Sequence, residues 1–343
     1  MRPDRQLRAR SVARRWGLTP AAAYSLAAIR YPDELAIIDD LGSATFAEVD
    51  SRTNALARAL GSVGVGPDGT VAVSCRNHRG LIETTVACSK IGADVVYLDP
   101  DALPSVHADV SLRRPVDVLV YDEDCPDQPR MSTSGALRLV AWHDRAAPGP
   151  EMTVDELIAR TRDTPLERAG RMSTVVVRCP PAAGMSEKRL ACSLIAPALA
   201  RARLPMRGRE RVLIAAPLTG RWGFLHFMLA LRYASTIVLM RRFDPLAVLE
   251  RIDQVGAAVA AMTSEMLEEI VALPSASSAC HDTASLRVIS TPGIFLDSDV
   301  ALPAIDRFGQ VLYSLRGATV ISVNRAFWST AGRPVEERAA LLA

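Results

Sequence analysis

Tyr31-Pro32-Asp33-Glu34-Leu35-Ala36-Ile37-Ile38-Asp39 and, shortly after it, Thr45-Phe46-Ala47-Glu48 decide how the rest of the chain is read. The apolar run Leu35 to Ile38 predicts a strand. Thr45 with Glu48 has the form of a capping box, in which each side chain bonds the other residue's backbone N–H. Behind it Phe46, Val49, Leu56 and Leu60 fall near helical spacing, and Gly61, Gly64 and Gly66 end the helix. A strand that feeds a helix is therefore the unit, and the unit recurs. Strands are expected at 70–75, 94–98, 116–121, 174–178, 212–216, 235–240, 257–262 and 286–290. Helices are expected at 81–91, 187–202, 222–232, 245–255, 264–272 and 297–308. Such alternation implies mostly parallel sheets with helices on both faces, an α/β architecture.

A polar, Pro-rich stretch around Ala146 to Pro150 interrupts the rhythm before it resumes. The expected organisation is a basic N-terminal segment, 1–17, followed by subdomains of roughly 18–170 and 171–343. With 343 residues, 49% of them hydrophobic, the chain can bury a large core. A formal net charge of +2 gives no reason to expect a nucleic-acid partner. Of the 40 basic residues, Lys90 and Lys188 are the only lysines. Cys75, Cys88, Cys125, Cys179, Cys192 and Cys280 are dispersed, without a Cys-x-x-Cys pair, and read as reduced thiols in a cytoplasmic protein. Neither they nor the five scattered histidines suggest a metal site.

Arg2, Arg5, Arg8, Arg10, Arg14 and Arg15 precede the apolar stretch Leu18 to Ile29. That stretch is short and holds Pro20 and Tyr24, so a helix with a basic lead-in is expected in preference to an export signal. Contact of this segment with a membrane surface is a second expectation. No run is long enough to span a bilayer.

Taken in order, these stretches resemble the AMP-forming acyl-CoA synthetases of the adenylate-forming, AMP-binding superfamily. The resemblance begins with the 31–39 segment. It continues through Ala44 to Asp50, Asn54-Ala55-Leu56-Ala57, Gly64 to Ala72, Lys90 to Asp94 and Val118 to Tyr121. Arg76-Asn77-His78-Arg79-Gly80 is similar to the fatty-acid–CoA ligase branch of actinobacterial type. Ala216-Pro217-Leu218, Arg242-Phe243-Asp244-Pro245, Leu286 to Ser290, Arg307 to Tyr313 and Gly332-Arg333-Pro334 follow in family order. The resemblance implies the large N-terminal domain of such a ligase, two mostly parallel β-sheet subdomains with flanking helices. It implies ATP and magnesium as cofactors and a fatty acid or acyl-CoA as ligand.

The family's motifs are altered where they should carry chemistry. The hydroxyl- and glycine-rich phosphate loop corresponds to Cys179 to Lys188, where Pro180 and Pro181 offer no N–H and Ala182 and Ala183 no hydroxyl. Gly184 stays in register, and Lys188 sits one position late. The family's Tyr-Gly-x-Thr-Glu reads Arg316-Gly317-Ala318-Thr319-Val320, which keeps Gly317 and Thr319 but puts Val320 where a magnesium-binding carboxylate belongs. Ser290 keeps a serine at a nucleotide-approach segment that here contains Pro292. Trp222 and His226 read as core or pocket wall. By motif position the candidate cofactor-binding residues are Gly184, Lys188, Ser290, Gly317 and Thr319; no catalytic residue and no metal ligand is assigned. The family's lysine-bearing C-terminal domain would lie beyond Ala343. Three readings follow: a non-catalytic ligase-like protein, a ligase completed in trans by a separate C-terminal domain, or an acyl-binding or protein-interaction module. In the last, a second copy or a partner chain covers the exposed C-terminal face.

Overall fold

The computed structural model describes residues 11–12, 19–101, 115–125, 135–144, 151–166, 174–178, 187–191, 204–274, 280–293, 296–316 and 319–323. Its first elements follow from the opening stretch. Helix α1 (Pro20–Arg30) is capped by Thr19, β1 (Leu35–Asp39) turns into β2 (Gly42–Thr45), and α2 (Phe46–Ser62) follows at once. The capping box is present in both directions: the Glu48 amide donates to Thr45 Oγ1 at 3.2 Å and the Thr45 amide to Glu48 Oε2 at 2.7 Å. Ala21, Ala22, Tyr24 and Ala27 of α1 are buried within the protein, and Ser25 Oγ donates to Asp50 in α2. Among the described residues, no helix is long and apolar enough to cross a membrane.

Two sheets organise the remainder. One is formed by β3 (Thr70–Ser74), β4 (Asp94–Tyr97), β5 (Val118–Asp122), β6 (Leu137–Trp142), β7 (Thr174–Arg178) and β8 (Glu187–Ala191), in the order β6-β5-β3-β4-β7-β8. It is parallel except for β7 with β8. The other adds β9 (Arg211–Ile214), β10 (Thr236–Leu239), β11 (Val259–Ala261), β12 (Val288–Pro292), β13 (Leu312–Arg316) and β14 (Thr319–Ser322) to the first hairpin. Its order is β14-β13-β12-β11-β9-β10-β1-β2, with antiparallel pairs at its two edges. Sheet membership cuts across chain order. The hairpin Leu35–Thr45 pairs with β10, and β7 pairs with β4.

The helices α3 (Arg79–Ile91), α4 (Val154–Ala159), α5 (Arg221–Arg232), α6 (Pro245–Val255), α7 (Ser264–Val271) and α8 (Ser298–Phe308) complete the described elements. Strand alternation assigns the layers. Val71, Val73, Val212, Ile214 and Ile237 join a main core with Tyr24, Leu56, Leu81 and Phe224, so helices from both halves lie between the sheets. The alternate residues Leu213, Val238, Ala260 and Ile289 pack with α6, α7 and α8 on the outer face. Ala72, Val96 and Leu119 face the other way in a smaller cluster. Strands buried on both faces explain the unbroken apolar runs Val71-Ala72-Val73 and Val118-Leu119-Val120.

One expected element is of the wrong type. The segment expected to form a helix over 187–202 begins instead with β8, antiparallel to β7 in the register Val177↔Lys188. Ladder bonds to the β-branched run Thr174 to Val177 outweigh the local helix propensity of Glu187-Lys188-Arg189-Leu190. Residues 192–202 lie outside the described residues.

Candidate functional site

In open parallel sheets, ligands bind beyond the carboxyl ends of the strands, where the strand order reverses. Each sheet here has such a switch point. In the six-stranded sheet it is β3, flanked by β4 and β5; in the eight-stranded sheet it is β9, flanked by β10 and β11.

The first switch point is filled by protein. His78 caps α3 by accepting the Gly80 N–H on Nδ1 at 3.1 Å. The proton therefore sits on Nε2, which donates to Asp122 Oδ1 at 2.8 Å. Asp122 Oδ2 accepts the Arg76 amide at 3.0 Å and Arg241 Nη2 at 3.2 Å. Arg241 also reaches Asp124 Oδ1 at 2.6 Å and lies 4.0 Å from the Trp142 ring centre. Burial pushes the Asp122 carboxyl up, but the His78 hydrogen bond, the Arg76 amide and the Arg241 charge together hold it below the ordinary aspartate range. Arg79 is bound to Asp39 through Nε and Nη2, the shorter contact being 2.6 Å. Gly80 is required, because a Cβ there would lie 2.8 Å from His78 Cε1.

Cys75, His78 and Asp122 present ligand-type atoms within 4.8 Å of one another, as do Asp122, Asp124 and Cys125. They do not suit a cation. A ligating imidazole needs a lone pair where His78 Nε2 carries a proton, and the carboxylates are already engaged by Arg241. Burial pushes both thiols up, Cys125 to about 12, which opposes the thiolate a metal would need.

The second switch point is lined by α5 and the ends of β9, β11 and β12. Gly220 caps α5, and the helix sits so close to the preceding loop that a Cβ on Gly223 would collide with the Pro217 carbonyl. Trp222 Nε1 donates to the Met262 carbonyl at 3.0 Å. His226 is fully buried, and burial lowers its pKa to about 4, so the ring is neutral near pH 7. Its Nδ1 faces the Trp222 carbonyl at 3.1 Å and so bears the hydrogen, leaving Nε2 to accept from Ser290 Oγ at 3.0 Å. A hydroxyl donating to an oriented imidazole has the outline of a nucleophile and base. Both groups are enclosed, however, and an imidazole of such low basicity takes up little proton near neutral pH. Thr291 Oγ1 beside them is buried without a hydrogen-bond partner among the described residues.

Of the residues singled out in the sequence, Ser290 reaches this switch point, joined to His226 and Trp222 in a buried hydrogen-bonded chain. Thr319 lies on β14 opposite Arg316, in the strand it shares with Val320. Val320 pairs with Leu315 and packs half-buried against the main core, so its side chain offers a cation no oxygen and does not replace a magnesium-binding carboxylate. Lys188 is on the edge strand β8. Gly184 and Gly317 lie outside the described residues. Sequence reasoning missed Asn77, although it sits inside the quoted Arg76–Gly80 stretch. Its buried amide spans from the first switch point to the second, with Nδ2 donating to the carbonyls of Ile214 (3.2 Å) and Ala216 (2.9 Å), and Oδ1 accepting the Leu218 N–H (2.7 Å).

Residues 25–165 match the family described as AMP-binding enzyme. Over 107 residues the chain is 34% identical to the nonribosomal peptide synthetase atnA of Emericella nidulans, a match covering 29% of this chain and 2% of that protein. The anthranilate CoA ligase AuaEII, solved with anthranoyl-AMP, superposes with a TM-score of 0.78 at 15% identity, over 86% of this chain and 59% of that one. A benzoate CoA ligase from Burkholderia xenovorans LB400 superposes with a TM-score of 0.78 at 16% identity, over 92% of this chain and 65% of that one. The chain thus spans less than two thirds of these solved neighbours and a small part of the curated relative. The likeness to the AMP-binding enzyme family is confined to residues 25–165, and over most of its length the chain has the fold of these two solved CoA ligases.

Proposed function

We propose that this chain is a fatty-acid–CoA ligase-like domain that holds an acyl or acyl-adenylate ligand at the carboxyl end of β9 but does not complete ATP-dependent activation by itself. The observation that carries the reading is the packing of Val320. Where the resemblance calls for a carboxylate, an aliphatic side chain pairs with Leu315 and rests against the main core. An aliphatic group cannot coordinate a hard cation, and Pro180 and Pro181 remove backbone donors from the phosphate-loop position. Trp222, neutral His226 and Ser290 carry no charge, which makes the end of β9 better suited to an uncharged or weakly polar acyl group than to a phosphate chain. The spread of cysteines without Cys-x-x-Cys pairs is consistent with a cytoplasmic setting.

Calorimetry with dodecanoyl-sulfamoyl-adenosine and with ATP–magnesium, run beside ATP–pyrophosphate exchange with fatty and aryl acids, tests this reading. Binding of the adenylate mimic without exchange is the expected result. Exchange that is robust in the wild-type chain and lost in Arg316→Ala would overturn it. Exchange that appears only when a C-terminal domain is added from a second polypeptide would mark a ligase completed in trans.

A further inference from the structure

We infer that Asn77 is a positioning residue for the second switch point: from the first sheet, it sets the path of the 214–218 loop that the proposed ligand must meet. The inference rests on the functional reading above only for its ligand; the positioning itself is independent of it.

The geometry is specific. Ile214 ends β9, Ala216 and Leu218 follow in the bend and turn after it, and one amide contacts all three: two carbonyls by its NH2 and one N–H by its oxygen. A flipped amide would set oxygen against two carbonyl oxygens, so the partners fix its orientation. Asn77 is itself held from behind. Its neighbours Arg76 and His78 are both bound to Asp122, through a backbone N–H and a ring N–H respectively. On the far side the loop is trapped by α5, since Gly223 leaves no room for a Cβ beside Pro217, while the amides of Ala215 and Ala216 bond Ala261 at the end of β11. The loop then runs directly into Gly220, the cap of the helix that carries Trp222 and His226. The loop and the start of α5 thus follow the placement of a side chain that belongs to the other sheet. The AMP-binding match covers Asn77 but ends well before this loop.

The test is amide hydrogen exchange at Leu218 together with affinity for dodecanoyl-sulfamoyl-adenosine, in Asn77→Ala, Asn77→Asp and a control, Thr45→Ala. The control removes the cap of α2, at the end of the eight-stranded sheet opposite to the 214–218 loop. Asn77→Ala removes the acceptor and should speed exchange at Leu218 by about tenfold or more, with a comparable loss of affinity. Asn77→Asp keeps the acceptor but turns an anion toward two carbonyls, so Leu218 should stay protected while affinity falls. Thr45→Ala should lower the melting temperature and change neither readout. General destabilisation would not separate the aspartate from the alanine variant in this way. Should Asn77→Ala not fold, protection of Leu218 in Asn77→Asp with weakened binding still supports the assignment. Unchanged Leu218 exchange in a folded Asn77→Ala protein, or unchanged affinity in both variants, overturns it. If the wild-type chain fails to bind the mimic, the functional reading falls, and Leu218 exchange alone decides the positioning role.

Discussion

The two switch points have the same topology and opposite contents. At β3 the place where a ligand would lie is occupied by Asp122, His78, Arg76 and Arg241, each polar atom facing another protein atom of complementary character, apart from the buried Nε atoms of Arg76 and Arg241. At β9 the groups are sparser: a neutral imidazole, one serine hydroxyl, and a threonine hydroxyl with no partner among the described residues. Buried atoms without a described partner occur at both places, Ser74 Oγ, Arg76 Nε and Arg241 Nε at the first and Thr291 Oγ1 at the second, so the difference lies in charge: ionic groups bound to one another at β3, a neutral hydrogen-bonded pair at β9.

Breaking the first switch point should have the larger effect. Asp122→Ala strands the His78 ring N–H and the Arg76 amide in a buried setting and removes the anion facing Arg241. The expected loss of stability is about 3–5 kcal/mol, read as a lower denaturant midpoint. A similar loss for Ser290→Ala would erase the distinction between the two sites.

Acid should find the second switch point next. His226 is lowered from 6.5 to about 4 in the folded chain, so between those values the unfolded chain binds the extra proton and folding stability drops as pH falls. The contribution is fully present above about pH 6.5 and lost progressively toward pH 4, in total about 3 kcal/mol. Denaturation at pH 7 and pH 4.5 should show this drop in the wild-type chain and a much smaller one in His226→Gln. Equal drops in both would assign the acid sensitivity to other groups.

The smallest effect is expected at the orphaned hydroxyl. Thr291→Val keeps the shape and removes a polar atom without a described partner, so stability should change by less than about 0.5 kcal/mol or rise slightly. A clear loss would reveal a partner for Thr291 and make the second site as closed as the first.

Much of the fold could be read locally. Thr45 and Glu48 announced α2 because a capping box needs only residues three apart, and the double-sided burial of β3 and β5 left its trace in unbroken valine-rich runs. The altered Val320 position was legible for the same reason, since an aliphatic side chain supplies no oxygen ligand in any fold. The type of β8 was not, because its conformation is settled by a ladder with β7 rather than by its own residues. Nor was the role of Asn77, whose partners lie well over a hundred residues along the chain; nothing in its neighbours' chemistry points toward Ile214, Ala216 or Leu218. His78 and Asp122 were likewise unremarkable until the β3 and β5 ends were seen side by side.

The opening hairpin carries one more consequence, in time. Ile37 finds its parallel partner at Ile237, so during synthesis β1 and β2 must wait for two hundred further residues before their sheet can accept them. At the pace of translation that is roughly 10–40 s. During that interval the apolar run Leu35 to Ile38 has its own short turn-mate and the nearby helices for company, and its unpaired edge stays open to any factor that meets the emerging chain.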